Sequence, residues 1–524
     1  MPEAGWKPKA NPWLIAATVA LAAFMEVLDT SIANVALPYI AGGLAASQDQ
    51  AEWILTTYLV ANAIVLPMGG WASSVIGRKN FFLSCIVLFT VASVFCGLAP
   101  SLPLLLLFRV IQGAGGGGLQ PIAQAIMADS FEPSKRGLAF SLYGIVAVLA
   151  PSIGPTLGGW ITFNYSWHWI FFINVPVGIL AFILASRLVE DPPWIKADRA
   201  NLKRLDYMGF SLLTLSMAGL EVTLDKGEEW DWFSSTKIRW FFGTFVVAFV
   251  LLIWHEWTAE HPLMQLKLFK FKNFAVCALL MLFTGGVLNA STVLQPQLLQ
   301  SFFGYTPTLA GLTLSGGGVV LLFVLPFAGQ LLSRFPARNL IAFGFFCFAV
   351  GFLWSAYRLN LGNDFRFLTV MRIVQIIGLP FVFISITTAA YFNVPQEMNN
   401  QVSGLINFAR NLGGSILISL SNAFVTESQQ FHRTNLLKHM SNSGMNYQQS
   451  FDRYQGAVIG HLGPANAAAG ANSRIYTELG NQVGILSYVD IYYLLGYASI
   501  VLVIITYILD RNQPAKASST HVEI

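Results

Sequence analysis

Phe108-Arg109-Val110-Ile111-Gln112-Gly113 lies inside a long apolar run, and 263 residues further on Met371-Arg372-Ile373-Val374-Gln375 repeats the phrase inside another. A charge in the middle of a membrane span is costly unless it is paired or hydrated, so each arginine marks a functional position. Their recurrence at equivalent places implies two halves built on one plan. That is the organisation of a membrane carrier with its site between two bundles.

Composition agrees. Of the 524 residues, 55% are hydrophobic and 11% charged, against roughly 25% charged in soluble domains. The net charge of +4 gives no basic patch for nucleic acid, because Lys and Arg punctuate the gaps between apolar runs. Cys85, Cys96, Cys277 and Cys347 lie within apolar runs with no CxxC spacing, and read as small core side chains. No metal-ligand pattern, nucleophile–base arrangement or cofactor motif is visible. Gly113-Ala114-Gly115-Gly116-Gly117-Gly118 lacks the Lys-Ser/Thr of a phosphate loop, and reads as close helix packing.

Fourteen runs are long enough to cross a hydrocarbon core as helices. They lie near 13–37, 52–74, 80–99, 102–127, 137–162, 168–188, 206–224, 238–257, 273–299, 308–332, 338–357, 366–392, 402–425 and 489–509. The expected fold class is therefore an all-α polytopic membrane protein. The first run carries Glu26 and Asp29 and reads as a retained span rather than a signal peptide. Lys7, Lys9, Arg78, Lys79, Lys135, Arg136, Arg187, Lys196, Arg199, Lys203, Arg204, Lys267, Lys270, Lys272, Arg334 and Arg338 fall on one side, and the short loops 38–51, 100–101, 163–167 and 300–307 have no Lys or Arg. The positive-inside rule then places both termini in the cytoplasm, with Arg511 and Lys516 in the tail.

A second echo supports the repeat. Gly70 to Gly77-Arg78-Lys79 closes span two, and Gly329-Gln330-Leu331-Leu332-Ser333-Arg334 closes span ten. The expected domains are 1–188, a six-helix bundle; 189–257, a linker with an inserted helix pair; and 258–524, a second six-helix bundle. Residues 426–488 form a polar segment on the outer side, either a loose loop or a docking surface, with short amphipathic helices at 446–455 and 472–486.

Glu26, Asp29, Thr30 and Asn34 share one broad face of span one. Such acids must face the bundle interior or water. A carboxyl shut away from water takes up a proton more readily than one in bulk, as a proton-exchanging site requires; the alternative is a static ion pair. Arg109 cannot give up its proton, so it is expected to hold a carboxylate or carbonyls, with Gln112 in the same network. Arg372 is its counterpart. Arg410, beside Asn407 and Asn411, is expected to meet acidic substrates, a gate or the bundle interface. Glu221 and Asp225 read as a solvated helix end. Gly154-Pro155 with Gly158-Gly159 permits bending and tight packing, which suits an interface on which the bundles pivot.

These residues also carry a resemblance. Leu28-Asp29-Thr30-Ser31-Ile32-Ala33-Asn34-Val35-Ala36-Leu37-Pro38, Leu107 to Gly113 and Ala150-Pro151-Ser152-Ile153-Gly154-Pro155-Thr156-Leu157-Gly158-Gly159 resemble the first-, fourth- and fifth-span motifs of fourteen-span drug:proton antiporters of the major facilitator superfamily. Trp169-Ile170-Phe171-Phe172-Ile173-Asn174-Val175-Pro176 and Leu224-Asp225-Lys226-Gly227 with Asp231-Trp232-Phe233 resemble the EmrB type. The resemblance implies proton-coupled multidrug efflux from an inner membrane. It also implies a periplasmic membrane-fusion adaptor (EmrA type) and an outer-membrane channel as partners, and lipophilic cargo. A dedicated exporter of one metabolite or fatty acid is the other reading. One departure stands out: Ser74 occupies the place where the loop motif has an aspartate, which puts its aspartate–arginine lock in doubt and leaves Arg78 to hold a neighbouring helix end.

Overall fold

The long apolar runs form helices because a backbone in hydrocarbon must satisfy its polar groups within its own segment. The computed structural model describes residues 8–195, 197–198, 206–260, 262–438 and 445–510. Lys7, Lys196, Arg199, Lys203, Arg204, Arg511 and Lys516, together with 439–444 of the polar segment, lie outside the described residues.

The helices are α1 (Pro12–Gly43), α2 (Gln48–Val65), α3 (Gly69–Ile76), α4 (Arg78–Gly97), α5 (Leu102–Gly117), α6 (Leu119–Ser130), α7 (Pro133–Asn164), α8 (Trp169–Phe172) and α9 (Asn174–Leu188). An inserted pair follows, α10 (Tyr207–Lys226) and α11 (Thr236–Thr258). The remainder are α12 (Lys272–Phe302), α13 (Pro307–Leu331), α14 (Ala337–Arg358), α15 (Phe365–Ile376), α16 (Leu379–Ala389), α17 (Asn399–Lys438), α18 (Met445–Leu462) and α19 (Pro464–Thr506). No strand occurs among the described residues.

Twelve helical stretches among the described residues are long and apolar enough to span a membrane, or thirteen if α7, bent by 40° between Pro151 and Ile153, counts as one. Fourteen spans remain compatible, because the expected span 402–425 lies within α17. That helix falls short on composition rather than length. It buries Asn400, Ser403, Asn407, Arg410 and Ser419 against protein instead of presenting them to lipid.

The end at which α1 begins is called here the near end, and that at which it finishes the far end. Helix α1 packs on α2, α6, α7 and α9, while α12 packs on α17 and α14 on α19. The first and second helix sets meet where α7 lies along α13 and where α6 meets α17. Small residues bring backbones together: a Cβ on Gly413 would come within 1.8 Å of the Leu282 carbonyl oxygen, and one on Gly113 within 2.4 Å of that of Tyr58. Helix α10 lies on its partner α11 but also touches α2 and α17.

The polar segment is helical where it is described. Helix α17 runs on to Lys438, α18 covers the expected helix 446–455, and 472–486 is continuous with the final span in α19.

Candidate functional site

At 1.5 Å per residue, Asp29 lies about 26 Å along α1 and Glu26 about 21 Å, near the middle of the bundle. Asp29 is closed in completely. Its Oδ2 accepts from Arg109 Nη1 at 2.6 Å, and its Oδ1 accepts from Gln112 Nε2 at 2.9 Å and Asn174 Nδ2 at 2.6 Å. Arg109 also donates to Gln112 Oε1 (2.8 Å) and the Ile54 carbonyl (3.1 Å). Its guanidinium lies 4.3 Å from the centroid of the Tyr58 ring. Both charged side chains are at most 1% exposed. A buried pair with this many hydrogen bonds is satisfied as two ions. Arg109 thus holds a carboxylate with Gln112 in its network, and that carboxylate is Asp29.

Glu26 is in a different situation. It accepts from Tyr58 Oη (3.2 Å) and Asn62 Nδ2 (3.1 Å) through one oxygen, and from Gln120 Nε2 through the other. All three donors are neutral. The Gln120 carbonyl accepts from Tyr143 Oη (2.7 Å) and from Arg410 Nη2. Arg410 comes from α17, so a three-residue bridge, Glu26–Gln120–Arg410, joins the first helix set to the second. Of the roles open to Arg410, the structure brings out the interface one. A layer closer to the near end, Gln124 and Asn407 exchange hydrogen bonds of 2.8 and 3.3 Å. The Tyr143–Phe383 and Phe140–Tyr391 ring pairs stack across the same interface.

The near end is closed by a further layer. Arg78 pairs with Asp129, which accepts at its other oxygen from Asn399 Nδ2 of α17 at 2.5 Å. Arg78 therefore holds the end of α6, as expected, and the carboxylate it holds reaches the opposite half. The acid missing at Ser74 is supplied from the linker: Asp191 Oδ1 accepts from the Lys79 backbone amide at 2.8 Å, capping α4. Gly77 has φ +86°, and a Cβ there would lie 2.6 Å from Asp191 Oδ2. Gly70 abuts Gln401 of α17.

The fifth-span glycines need a correction. Gly154 faces Ser31 and Gly158 faces Ile32, so both seat α7 on α1 within one half, and Gly159 has only Val35 within 4 Å. Pro155, with Thr156, is the part that meets the other half, against Gly311 of α13. Gly137 and Gly329 also bring the halves together, each placing a Cβ within 3.0 Å of the other's carbonyl oxygen. Asn34 is exposed, away from the acids of its helix. Glu221 is also not solvated: it is 7% exposed and accepts from Ser415 Oγ of α17 at 2.9 Å.

Arg372 occupies the mirrored position in the second half but meets no acid among the described residues. Its Nη1 and Nη2 donate to Ser291 Oγ and Thr292 Oγ1, both at 3.0 Å. Thr292 stands 263 residues after Asp29, the same offset that relates Arg372 to Arg109 and Gln375 to Gln112. Gln375 donates to Ser355 as Gln112 donates to Ser93. The network is thus repeated with its carboxylate replaced by hydroxyls. Asn62, Ser93, Gln120, Asp129, Asn174 and Asn399 were missed as site residues. A polar side chain inside an apolar run was the available signal for the first five.

A sequence model of the Major Facilitator Superfamily matches residues 19–418. The Multidrug export protein EmrB of Escherichia coli (strain K12) is 36% identical over 452 residues, which cover 86% of this chain and 88% of that protein. The Fatty acid resistance protein FarB of Neisseria gonorrhoeae is 34% identical over 439 residues, 83% and 85% of the two chains. The fold matches that of the proton:xylose symporter XylE with a TM-score of 0.57 at 13% identity, covering 92% of this chain and 96% of that one.

Proposed function

The chain belongs to the major facilitator superfamily, and from that premise we propose that it is a proton-coupled multidrug efflux transporter. The EmrB-type relatives support export of hydrophobic or amphipathic compounds. The Lys79, Lys135, Arg136, Arg187, Lys267, Lys270, Lys272, Arg334 and Arg338 side of the molecule is the near end, which supports placing that end in the cytoplasm of an inner membrane. The first six spans, the inserted pair and the last six spans act as bundle, insert and bundle. Helices α17 to α19 project beyond the far end and offer a surface for a membrane-fusion adaptor, which would pass cargo to an outer-membrane channel.

The observation that carries the mechanism is the bridge Glu26–Gln120–Arg410. Asp29 is paired with Arg109 within one bundle. Glu26 has only neutral donors, and is the group that exchanges a proton. As a carboxylate it holds the Gln120 amide, whose carbonyl in turn holds Arg410 of the opposite bundle. Once protonated, Glu26 becomes a donor as well as a weaker acceptor. Gln120 is then free to turn, the grip on Arg410 loosens, and the near end can open. Cargo binding between the bundles and proton loading at Glu26 thereby act on the same interface. Arg109 and Asp29 set the shape of the first bundle around Glu26.

The test is transport in proteoliposomes with an imposed pH gradient, using a panel of lipophilic weak acids and cations. Gradient-driven movement should be lost in Glu26→Gln while cargo binding persists. Full gradient-driven transport by Glu26→Gln would overturn the assignment. A dedicated exporter of one acidic metabolite or fatty acid is the second reading, favoured by Arg410 at the interface and by the FarB likeness. Transport confined to acids in the same panel would select it.

A further inference from the structure

The Arg372 guanidinium is 4% exposed, lies in the apolar middle of the second half and has no ion-pair partner among the described residues. Its two hydrogen-bond partners cannot supply a negative charge. Ser291 Oγ and Thr292 Oγ1 already point their own protons at the Leu288 carbonyl, at 3.0 and 2.7 Å. The Nε of Arg372 has no partner, and neither do Gln375 Oε1 and Tyr492 Oη in the same cluster. Helix α13 packs closely on the stem of the arginine, since a Cβ on Gly317 would sit 3.1 Å from Arg372 Cγ, and it leaves the Nε of the guanidinium without a partner.

The mirrored site shows what is missing. There Arg109 has Asp29, with the ion pair at 2.6 Å and two amide side chains holding the carboxylate. A buried cation deprived of its counter-charge is strongly destabilising, yet Arg372 cannot shed its proton as a lysine would. No described residue balances the charge. We propose that Arg372 seats one small monovalent anion, a halide or a small carboxylate, against Nε and next to Thr292. Thr292 is only half-buried, and its hydroxyl touches the guanidinium at Nη2. This binding does not depend on what the cargo is.

The full-length protein, purified in nanodiscs, is melted while tryptophan fluorescence is followed, in sodium chloride, sodium acetate or sodium gluconate at equal ionic strength. Gluconate is the reference, being the bulkiest of the three anions. Chloride or acetate should raise the melting temperature saturably by about 1–3 °C. The ion with the lower midpoint identifies the source. Thr292→Asp places a carboxylate where the first half has one, and should melt at the same temperature in all three salts. Arg372→Gln removes the cation and should also lose the dependence; it decides the matter alone if Thr292→Asp does not fold. Equal melting of the unaltered protein in all three salts would overturn the proposal. So would a wild-type-like dependence persisting in Arg372→Gln.

Discussion

Separating Asp29 from Arg109 should be among the most damaging single changes in the chain, and the two ways of doing it should differ. Removing one member of a buried pair costs about 3–5 kcal/mol, because the other is left as an uncompensated charge. Arg109→Gln leaves the Asp29 carboxylate with two remaining donors, Gln112 and Asn174, and belongs at the lower end. Asp29→Asn leaves a guanidinium that keeps the Gln112 and Ile54 acceptors and the Tyr58 ring, but no anion, and belongs at the upper end. At roughly 1 °C per kcal/mol for a chain this long, the losses are about 3 and 5 °C. The double variant buries no charge, so it should recover about 2–3 kcal/mol relative to the sum of the two. Melting of all four proteins in nanodiscs completes the cycle. Additive losses would mean that the pair is not coupled, and the reasoning that treats Asp29 as a fixed ion would fall with it.

Other outcomes follow from the near end. Asp129→Asn removes the charge that links Arg78 to Asn399, and loss of a charge-assisted hydrogen bond of about 1.5 kcal/mol should speed thiol labelling of a Ser403→Cys reporter roughly tenfold. Unchanged labelling would show that the near end is held by packing alone. Gly77→Ala must adopt φ +86° and clash with Asp191, at a cost of about 1–3 kcal/mol; adding Asp191→Ala should relieve only the clash, leaving the melting temperature below wild type. His168 lies between spans, and burial lowers its proton affinity relative to an open imidazole. The unfolded chain then binds the proton more readily, so this residue's contribution to stability is present above the ordinary histidine range and is lost as pH falls through it. His168→Gln should flatten that part of the pH–melting profile, and an unaltered profile would assign the slope elsewhere.

The helical class, the two-half plan and the Arg109–Gln112 network were legible because intramembrane charges are too expensive to be incidental and repeat at a fixed offset. The partner of Arg109 was within reach, since Asp29 and Glu26 were the acids of span one, but their unlike environments were not. Those environments depend on Asn174 and Gln120, residues 145 and 94 positions away from Asp29 and Glu26 in the chain. The role of Asp191 was equally hidden: an acid 112 residues from Lys79 caps the turn where the local motif lacks one. Gly154 and Gly158 misled because small residues announce close packing without saying which helix comes close. Span 402–425 shows the converse, a helix whose polar face is intelligible only once the helix it opposes is known.

Helix α17 begins at the Asn399 contact with Asp129 and continues unbroken for 40 residues to Lys438, a rod of about 60 Å. Such a rod works as a lever. A tilt of about 5° at its base displaces its tip by about 5 Å, more than a hydrogen bond can stretch. Ser428 and His432 of this rod both bind Asp490 of α19, at 2.6 and 2.7 Å, so the stroke is handed to a second rod rather than dissipated. Anything seated on the tips of α17 and α19 is therefore mechanically geared to whether the opposite face of the membrane is shut.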